Sequence, residues 1–103
     1  MKSIEGLRAA RSLSERLKHK GIPVHDVYLF GSVARGTANK DSDVDIAVVC
    51  EPYKATKHLE NVEFLLEGKK IDMRIQTVCL HPLDFDNPYF TLAKEIQRYG
   101  IAV

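Results

Sequence analysis

Long apolar stretches are missing from this 103-residue sequence, and their absence excludes several classes of protein. No run approaches the roughly 18 apolar residues that a membrane-spanning helix needs, so we expect no membrane segment. Residues 1–17 carry charges throughout and lack the apolar core of a signal peptide, which predicts a cytoplasmic location.

The sequence also lacks an excess of charge of either sign, and it contains few cysteines. The formal net charge is only +1, so the molecule as a whole has no general attraction to nucleic acid, which we do not expect as its main partner. Cys50 and Cys79 each end an apolar, strand-like run and lack the neighbouring cysteine or histidine pair of a zinc motif. We interpret them as buried free thiols, and the sequence alone leaves a disulfide open.

What the sequence contains is the composition of an ordinary globular protein. Hydrophobic residues make up 45% and charged residues 28%. A chain of this length can bury one core but not two, so we expect a single domain over residues 1–103.

Hydrophobic periodicity predicts alternating helices and strands. The predicted helices cover residues 3–20, 32–35, 54–66 and 89–99, and the predicted strands cover residues 24–30, 43–50 and 70–78. In the third helix we expect Leu59, Val62, Leu65 and Leu66 to share one side, and Gly68 to cap its end. Strands separated by helices favour an α+β fold, a small mixed sheet flanked by helices, whose strand order stays open.

Two aspartates open the second predicted strand. Alternate residues of a strand project from one face, so Asp43 and Asp45 point to the same side while Val44 faces the core. Two carboxylates at such a short separation repel each other unless a cation lies between them. Among cations, Mg²⁺ prefers oxygen ligands. Taken alone, such a pair more often caps a loop.

A third aspartate favours the metal interpretation over the loop cap. Asp72 lies inside the third predicted strand, although aspartate is rare in strands. If that strand pairs with the second, three carboxylates converge and can seat two cations about 3.5–4 Å apart. Arg74 shares the strand face of Asp72, so we expect it to border the same site. There it either contacts a bound triphosphate, orients the group that accepts the transfer, or forms an ion pair with a site carboxylate.

Gly31 and Ser32 follow the first predicted strand and form a candidate phosphate seat. Glycine lets the backbone turn sharply beside a ligand, and the N–H groups of a beginning helix attract anions. Arg35, one turn further, either contacts phosphate or forms a surface ion pair with Asp41 or another acid. The stretch lacks the Gly-Lys-Ser/Thr ending of a Walker A loop and the second glycine of a dinucleotide fingerprint.

Residues 31–45 carry a family resemblance. Gly-Ser, a ten-residue gap and Asp-Val-Asp resemble the signature of the nucleotidyltransferase superfamily that includes DNA polymerase beta. The strings Gly-Ser-Val-Ala-Arg-Gly and Ser-Asp-Val-Asp-Ile are similar to its minimal nucleotidyltransferase branch. The resemblance implies a polymerase beta palm-like fold. It also implies that the metal-binding catalytic residues are Asp43, Asp45 and Asp72, and that the phosphates are held by Gly31 and Ser32.

The same resemblance implies a reaction and a partner. The reaction is transfer of a nucleoside monophosphate from a triphosphate such as ATP to a hydroxyl, with two Mg²⁺ ions. Small members of this branch act as antitoxins beside a HEPN-type toxin, and some adenylylate a tyrosine of that partner. Because 103 residues leave no room for an acceptor-binding domain, we expect the acceptor to be presented by a partner protein.

Two alternative functions remain open at this stage. One is a non-catalytic antitoxin that neutralises its partner by binding. The other is an antibiotic-modifying nucleotidyltransferase that completes its pocket by forming a dimer. The sequence assigns neither the nucleotide base nor the oligomeric state.

Overall fold

The computed structural model of the protein describes residues 3–39 and 41–103. Its elements are, in chain order, α1 (Ser3–His19), β1 (Val24–Phe30), α2 (Gly31–Arg35), β2 (Val44–Cys50), α3 (Lys57–Ile71), β3 (Ile75–Leu80), a 3₁₀ helix (Pro82–Asp86), α4 (Thr91–Tyr99) and β4 (Ile101–Ala102). Within these two ranges, no helix combines the length and the apolar character needed to cross a membrane.

The four strands form one mixed sheet in the order β3-β2-β1-β4. Strand β1 is antiparallel to both β2 and β4, whereas β2 and β3 are parallel. Parallel neighbours need a crossover connection, and α3 provides it. The predicted α+β fold with a small mixed sheet flanked by helices is therefore confirmed, and the structure adds the strand order.

Helices cover both faces of the sheet. On one face α1 and α3 pack against the even-numbered residues of β2, among them Val44, Ile46 and Val48. On the other face a smaller cluster joins Ala47 and Val49 to α4. Because successive strand residues point to opposite faces, Asp45 projects on the α4 side of the sheet.

The boundary between α3 and β3 differs from the prediction. Helix α3 continues through Gly68 to Ile71, and β3 starts only at Ile75, so Gly68 is not a cap and Asp72 is not a strand residue. A turn separates the two elements: the Asp72 carboxylate accepts a hydrogen bond from the Arg74 N–H at 2.8 Å, and the Ile75 N–H donates to the Asp72 carbonyl at 3.1 Å. The alternation of apolar and polar residues over 71–76 is too short to distinguish a strand from a helix end followed by a turn.

The apolar side predicted for the third helix faces solvent at three of its members. Leu59, Val62 and Leu66 are 47%, 39% and 60% exposed. The buried positions of α3 are instead Glu60, Phe64, Glu67 and Gly68. Two of these buried positions carry glutamate, and hydrophobic periodicity treats a charged residue as exposed even when partners neutralise it. The apolar pattern therefore does not show which face of α3 is buried.

Gly68 allows α3 to lie close to β3. A Cβ at this position would come within 2.7 Å of the Ile75 Cγ2 atom, which is closer than carbon atoms pack. The glycine predicted to end the helix therefore serves helix–strand packing. Two further features were not predicted: the 3₁₀ helix that follows β3, and the short strand β4.

Candidate active site

The end of β1 and the start of β2 bring Gly31 and Asp45 together. Phe30 and Asp45 are partners in the antiparallel register, so the chain leaves β1 directly beside the carboxylate. Gly31 has a φ of +73°, and a Cβ at this position would collide with Asp45 Oδ2. Glycine is thus required here both by backbone conformation and by the space that the carboxylate occupies.

Helix α2 starts at Gly31 and holds the predicted phosphate seat. The N-cap residue Phe30 makes no side-chain capping bond, and the Gly31 backbone at the start of the helix lies next to the Asp45 carboxylate. The helix ends at Gly36, which has a φ of +74°, and the Thr37 N–H donates to the Ser32 carbonyl at 3.0 Å. The structure places Gly31 and Ser32 in the expected turn, and their contacts to phosphate stay a prediction.

The loop between α2 and β2 is held by its own polar side chains where the structure describes it. The Asn39 N–H donates to Ser42 Oγ at 3.0 Å, and the Asp41 N–H donates to Asn39 Oδ1 at 2.9 Å. These bonds shape the backbone that leads into Asp43. The first aspartate of the pair is therefore positioned by an ordered turn and the second by the sheet.

Asp43 and Asp45 form a carboxylate pair of unequal exposure. Asp43 is exposed and Asp45 is half-buried. Burial raises the pKa of Asp45, the nearby Asp43 carboxylate raises it further, and Arg35 opposes both effects. A divalent cation would relieve this repulsion, and the oxygen donors beside the Gly31 backbone suit a hard ion such as Mg²⁺.

Asp72 is engaged by Arg74 and does not join that pair. Arg74 Nη2 lies 2.8 Å from Asp72 Oδ2 and Nε lies 3.1 Å from Oδ1, and the hydrogen bond with Arg74 lowers the pKa of Asp72. Over residues 3–39 and 41–103, Asp43, Asp45 and Asp72 do not form a group whose ligand oxygens all lie within 4.8 Å of one another. The role of Asp72 as third metal ligand stays a prediction.

The turn that carries Asp72 nevertheless contacts the start of β2. The Arg74 carbonyl accepts a hydrogen bond from the N–H of Val44 at 2.8 Å, so it is bonded to the residue between the two aspartates. Of the roles predicted for Arg74, the ion pair with a carboxylate is the one present. Its contact to the triphosphate or the acceptor stays a prediction.

Gln76 is the β3 residue that lies beside Asp45. It is the register partner of Asp45 on β3, and it is exposed. Registered residues of parallel neighbours project from the same face, so its amide lies on the side of Asp45. The sequence alone did not single out Gln76, because it does not define which residue of one strand lies beside which residue of the next.

Arg35 connects the phosphate seat to α4. Its Nη1 lies 3.8 Å from Glu95 Oε1, and both side chains are about half exposed. The predicted surface ion pair is therefore present, with Glu95 as the acid. Exposed pairs of this kind contribute only about 0–1 kcal/mol, so a phosphate could replace Glu95 at little cost.

Comparisons with known proteins agree with this geometry. A family model described as a nucleotidyltransferase domain matches residues 10–98. A solved structure described as a nucleotidyltransferase from Sulfolobus solfataricus has the same fold, with a TM-score of 0.69 and 21% identity over 97% of this chain and 80% of that one. A minimal nucleotidyltransferase aligns over 100% of this chain and 97% of its own, with a TM-score of 0.65 and 24% identity.

A third similar structure comes from a different context. It is a chain of a toxin–antitoxin assembly solved with AMP-PNP, with a TM-score of 0.63 and 22% identity over 88% of this chain and 69% of that one. No curated protein sequence matches this chain. At these identities the three structures establish a shared fold.

Proposed function

Because this chain belongs to the nucleotidyltransferase domain family, we propose that it transfers a nucleoside monophosphate, specifically AMP from ATP, to a hydroxyl group. One observation carries the proposal. The Asp45 carboxylate packs against the left-handed Gly31 at the start of α2, which joins a phosphate seat and a metal-binding pair in one place.

On this proposal the residues of the site have two roles, metal binding and phosphate binding. Asp43 and Asp45 would hold Mg²⁺, with Asp72 as a further ligand for a second ion. Bound there, Mg²⁺ would supply positive charge to the triphosphate and to the phosphoryl group under attack. Gly31 and Ser32 hold the phosphates through backbone N–H groups and the serine hydroxyl.

Arg35 is the proposed second contact to the phosphates. Its guanidinium is charged at every physiological pH, and it already lies close enough to Asp45 to lower the pKa of that carboxyl. On this proposal the side chain exchanges Glu95 for the triphosphate when the nucleotide binds.

The proposed acceptor is a tyrosine hydroxyl on a HEPN-type partner toxin in the cytoplasm, which makes this chain an antitoxin. Two observations support this choice. A chain of similar fold occurs in a toxin–antitoxin assembly with an ATP analogue. Asp43 is exposed, so a macromolecular hydroxyl has access to the carboxylate pair.

The test compares the wild type with the double variant Asp43→Asn, Asp45→Asn. The candidate partner is incubated with either protein, Mg²⁺ and each nucleoside triphosphate in turn, and its intact mass is measured. We expect the wild type to add the mass of AMP when ATP is supplied, and the double variant to add none. The double variant Asp26→Asn, Asp86→Asn removes the same charge from exposed positions and should retain transfer. Undiminished transfer by the Asp43, Asp45 variant would refute the proposal.

A second candidate function is supported by Gln76. With an amide beside Asp45 and with Asp72 bound to Arg74, the carboxylate set is incomplete as it stands. This favours a non-catalytic antitoxin that neutralises its partner by binding. Growth of cells that express the toxin separates the two functions, because only a binding antitoxin still protects them when Asp43 and Asp45 are both replaced by asparagine.

A further inference from the structure

A second cluster of polar side chains lies at the opposite end of β2 from the aspartates. Cys50 ends β2, Cys79 lies near the end of β3, and His81 follows β3 directly. Glu60 reaches the same point from the first turn of α3. Sequence spacing showed no zinc motif, yet the parallel pairing of β2 with β3 brings these four residues together.

The spacing of Cys79 from Cys50 and from Glu60 matches that of ligands in a tetrahedral metal site, whereas His81 and Glu60 lie closer together. The two sulfur atoms are 3.8 Å apart, Cys79 Sγ is 3.7 Å from Glu60 Oε1, and all four donor atoms lie within 4.8 Å of one another. With Zn–S bonds of about 2.3 Å, tetrahedral geometry separates two sulfur ligands by about 3.8 Å. The cysteines thus already have the spacing of a zinc-bound pair.

Glu60 is held in place for such a role. Its Oε2 accepts hydrogen bonds from the N–H groups of Tyr53 at 2.6 Å and Lys54 at 3.2 Å. These bonds direct Oε1 toward His81 Nε2, at 2.6 Å, and toward Cys79. Ligating carboxylates are commonly fixed by bonds of this kind to their second oxygen.

The cluster is enclosed by protein. Cys50 and Glu60 are fully buried, Cys79 is 3% exposed, and the His81 side chain is 19% exposed. The two thiols and the imidazole are soft and borderline ligands, and together they select zinc over magnesium although the carboxylate is a hard ligand. The opening toward solvent at His81 supplies a path for the ion.

We propose that Cys50, Cys79, His81 and Glu60 form a structural Zn²⁺ site. Binding releases the two thiol protons to solvent and shifts the His81 proton from Nε2 to Nδ1, so that Nε2 and the two thiolate sulfur atoms can ligate the ion. The contact between His81 and Glu60 opens to about 3.3 Å, the separation of nitrogen and oxygen ligands on a tetrahedral zinc. With four protein ligands no coordination position is left open, so the site joins β2, β3 and α3 without catalysing a reaction.

This site is independent of the proposed nucleotidyl transfer. Asp45 and Cys50 are separated by about 16 Å of strand, at about 3.3 Å per residue, and point to opposite faces of the sheet. Magnesium at the aspartates and zinc at the cysteines can therefore be removed separately. Each proposal is tested by its own experiment, so a negative result for one leaves the other unaffected.

The test uses Co²⁺ as a spectroscopic probe on the full chain, after reduction and chelator treatment. The chain has two cysteines in total, so a thiolate-to-cobalt absorption band reports on this pair alone. We expect the band to saturate at one cobalt per chain and to disappear when Zn²⁺ is added. The Asp43→Asn, Asp45→Asn variant should bind cobalt as the wild type does.

Two further variants keep the test decisive. Cys79→Ser should abolish the band, and His81→Gln, which retains both thiols, should weaken cobalt binding by about tenfold or more. Circular dichroism checks that each variant is folded. A folded, reduced wild type that shows no thiolate band would overturn the proposal, and so would a His81→Gln variant with unchanged cobalt affinity.

Discussion

Gly31 combines a left-handed backbone conformation with close contact to the Asp45 carboxylate, and replacing it tests whether that contact is needed for the proposed transfer. Gly31→Ala should abolish nucleotidyl transfer because its Cβ displaces the Asp45 carboxylate. Gly21→Ala is the matched control: Gly21 also has a positive φ, of +83°, but its Cβ would meet nothing within 4 Å. Both variants should lose about 1–2 kcal/mol of unfolding free energy from the left-handed conformation, measured by urea titration. Equal loss of transfer in both variants would show that strain, and not the carboxylate contact, is responsible.

The third metal ligand can be assigned by exchanging side chains between two positions. Asp72→Asn should lower transfer at least tenfold, which corresponds to about 1.4 kcal/mol of transition-state stabilisation. Adding Gln76→Asp should restore part of the loss, because it places a carboxylate beside Asp45 in register. The readout is the rate of AMP transfer at several Mg²⁺ concentrations.

Two results of this exchange would contradict the assignment of Asp72. The first is an Asp72→Asn variant with wild-type transfer, since a metal ligand cannot be lost without effect. The second is an equal gain from Gln76→Glu, whose longer side chain serves as the control for geometry. The first result would mean that the Asp72 carboxylate serves only to bind Arg74, and the second would mean that a carboxylate at position 76 rescues transfer without the geometry of a metal ligand.

At the scale of elements, α3 buries a different face from the one that its leucines indicate, and two substitutions on it should differ accordingly. Phe64 is fully buried and Leu66 is 60% exposed. Phe64→Ala should cost about 3–5 kcal/mol of unfolding free energy through the cavity it leaves. Leu66→Ala should stay within about 0.5 kcal/mol, as surface substitutions do. Chemical denaturation of both variants measures the difference, and equal costs would contradict the assignment of the buried face.

The sequence predicted the elements whose signals are local. Strand β1, the turn at Gly31 and strand β2 follow from a β-favouring run, a glycine and a second alternating run, so this half of the candidate site was foreseen. The boundary of α3 and β3 was not, because the decisive bonds from Asp72 to the Arg74 main chain and side chain are not visible in apolar periodicity. The role of Gln76 depends on strand register, which only the folded sheet defines.

The cysteine cluster shows a second limit of prediction. Its ligands come from β2, α3, β3 and the residue after β3, and motif spacing detects ligands only when they are close in sequence. The pairing of two parallel strands is a tertiary event, so Cys50 and Cys79 could be read as buried thiols but not as neighbours. Their burial was predicted, and their proximity was not.

At the scale of the whole molecule, a layer of charges between α1 and α3 predicts how stability depends on pH. The hydrogen bond from Lys70 and the one from Arg16 lower the pKa of Glu67, against the opposing effect of burial. A carboxylate whose pKa is lowered in the folded state stabilises the fold above its unfolded pKa, and this contribution is lost as pH falls through the folded value. We therefore expect the unfolding free energy to decrease on acidification below about pH 4.5, the ordinary glutamate value.

Thermal unfolding across this pH range provides the measurement. Glu67→Gln should flatten the acid limb of the profile, because the variant has no carboxylate to protonate at this position. Glu15→Gln, at an exposed position on α1, should leave the profile unchanged. A profile for Glu67→Gln that overlays the wild type would contradict the contribution assigned to this layer.

The alternation of residues along β2 has a consequence for how such a protein can change over generations. Asp45 points toward α4, whereas Val44, Ile46 and Cys50 point toward α1 and α3. Deleting one residue inside β2 would exchange the two sides, so the Asp45 carboxylate would enter the core and apolar side chains would enter the candidate site. Loss of one would therefore bring loss of the other.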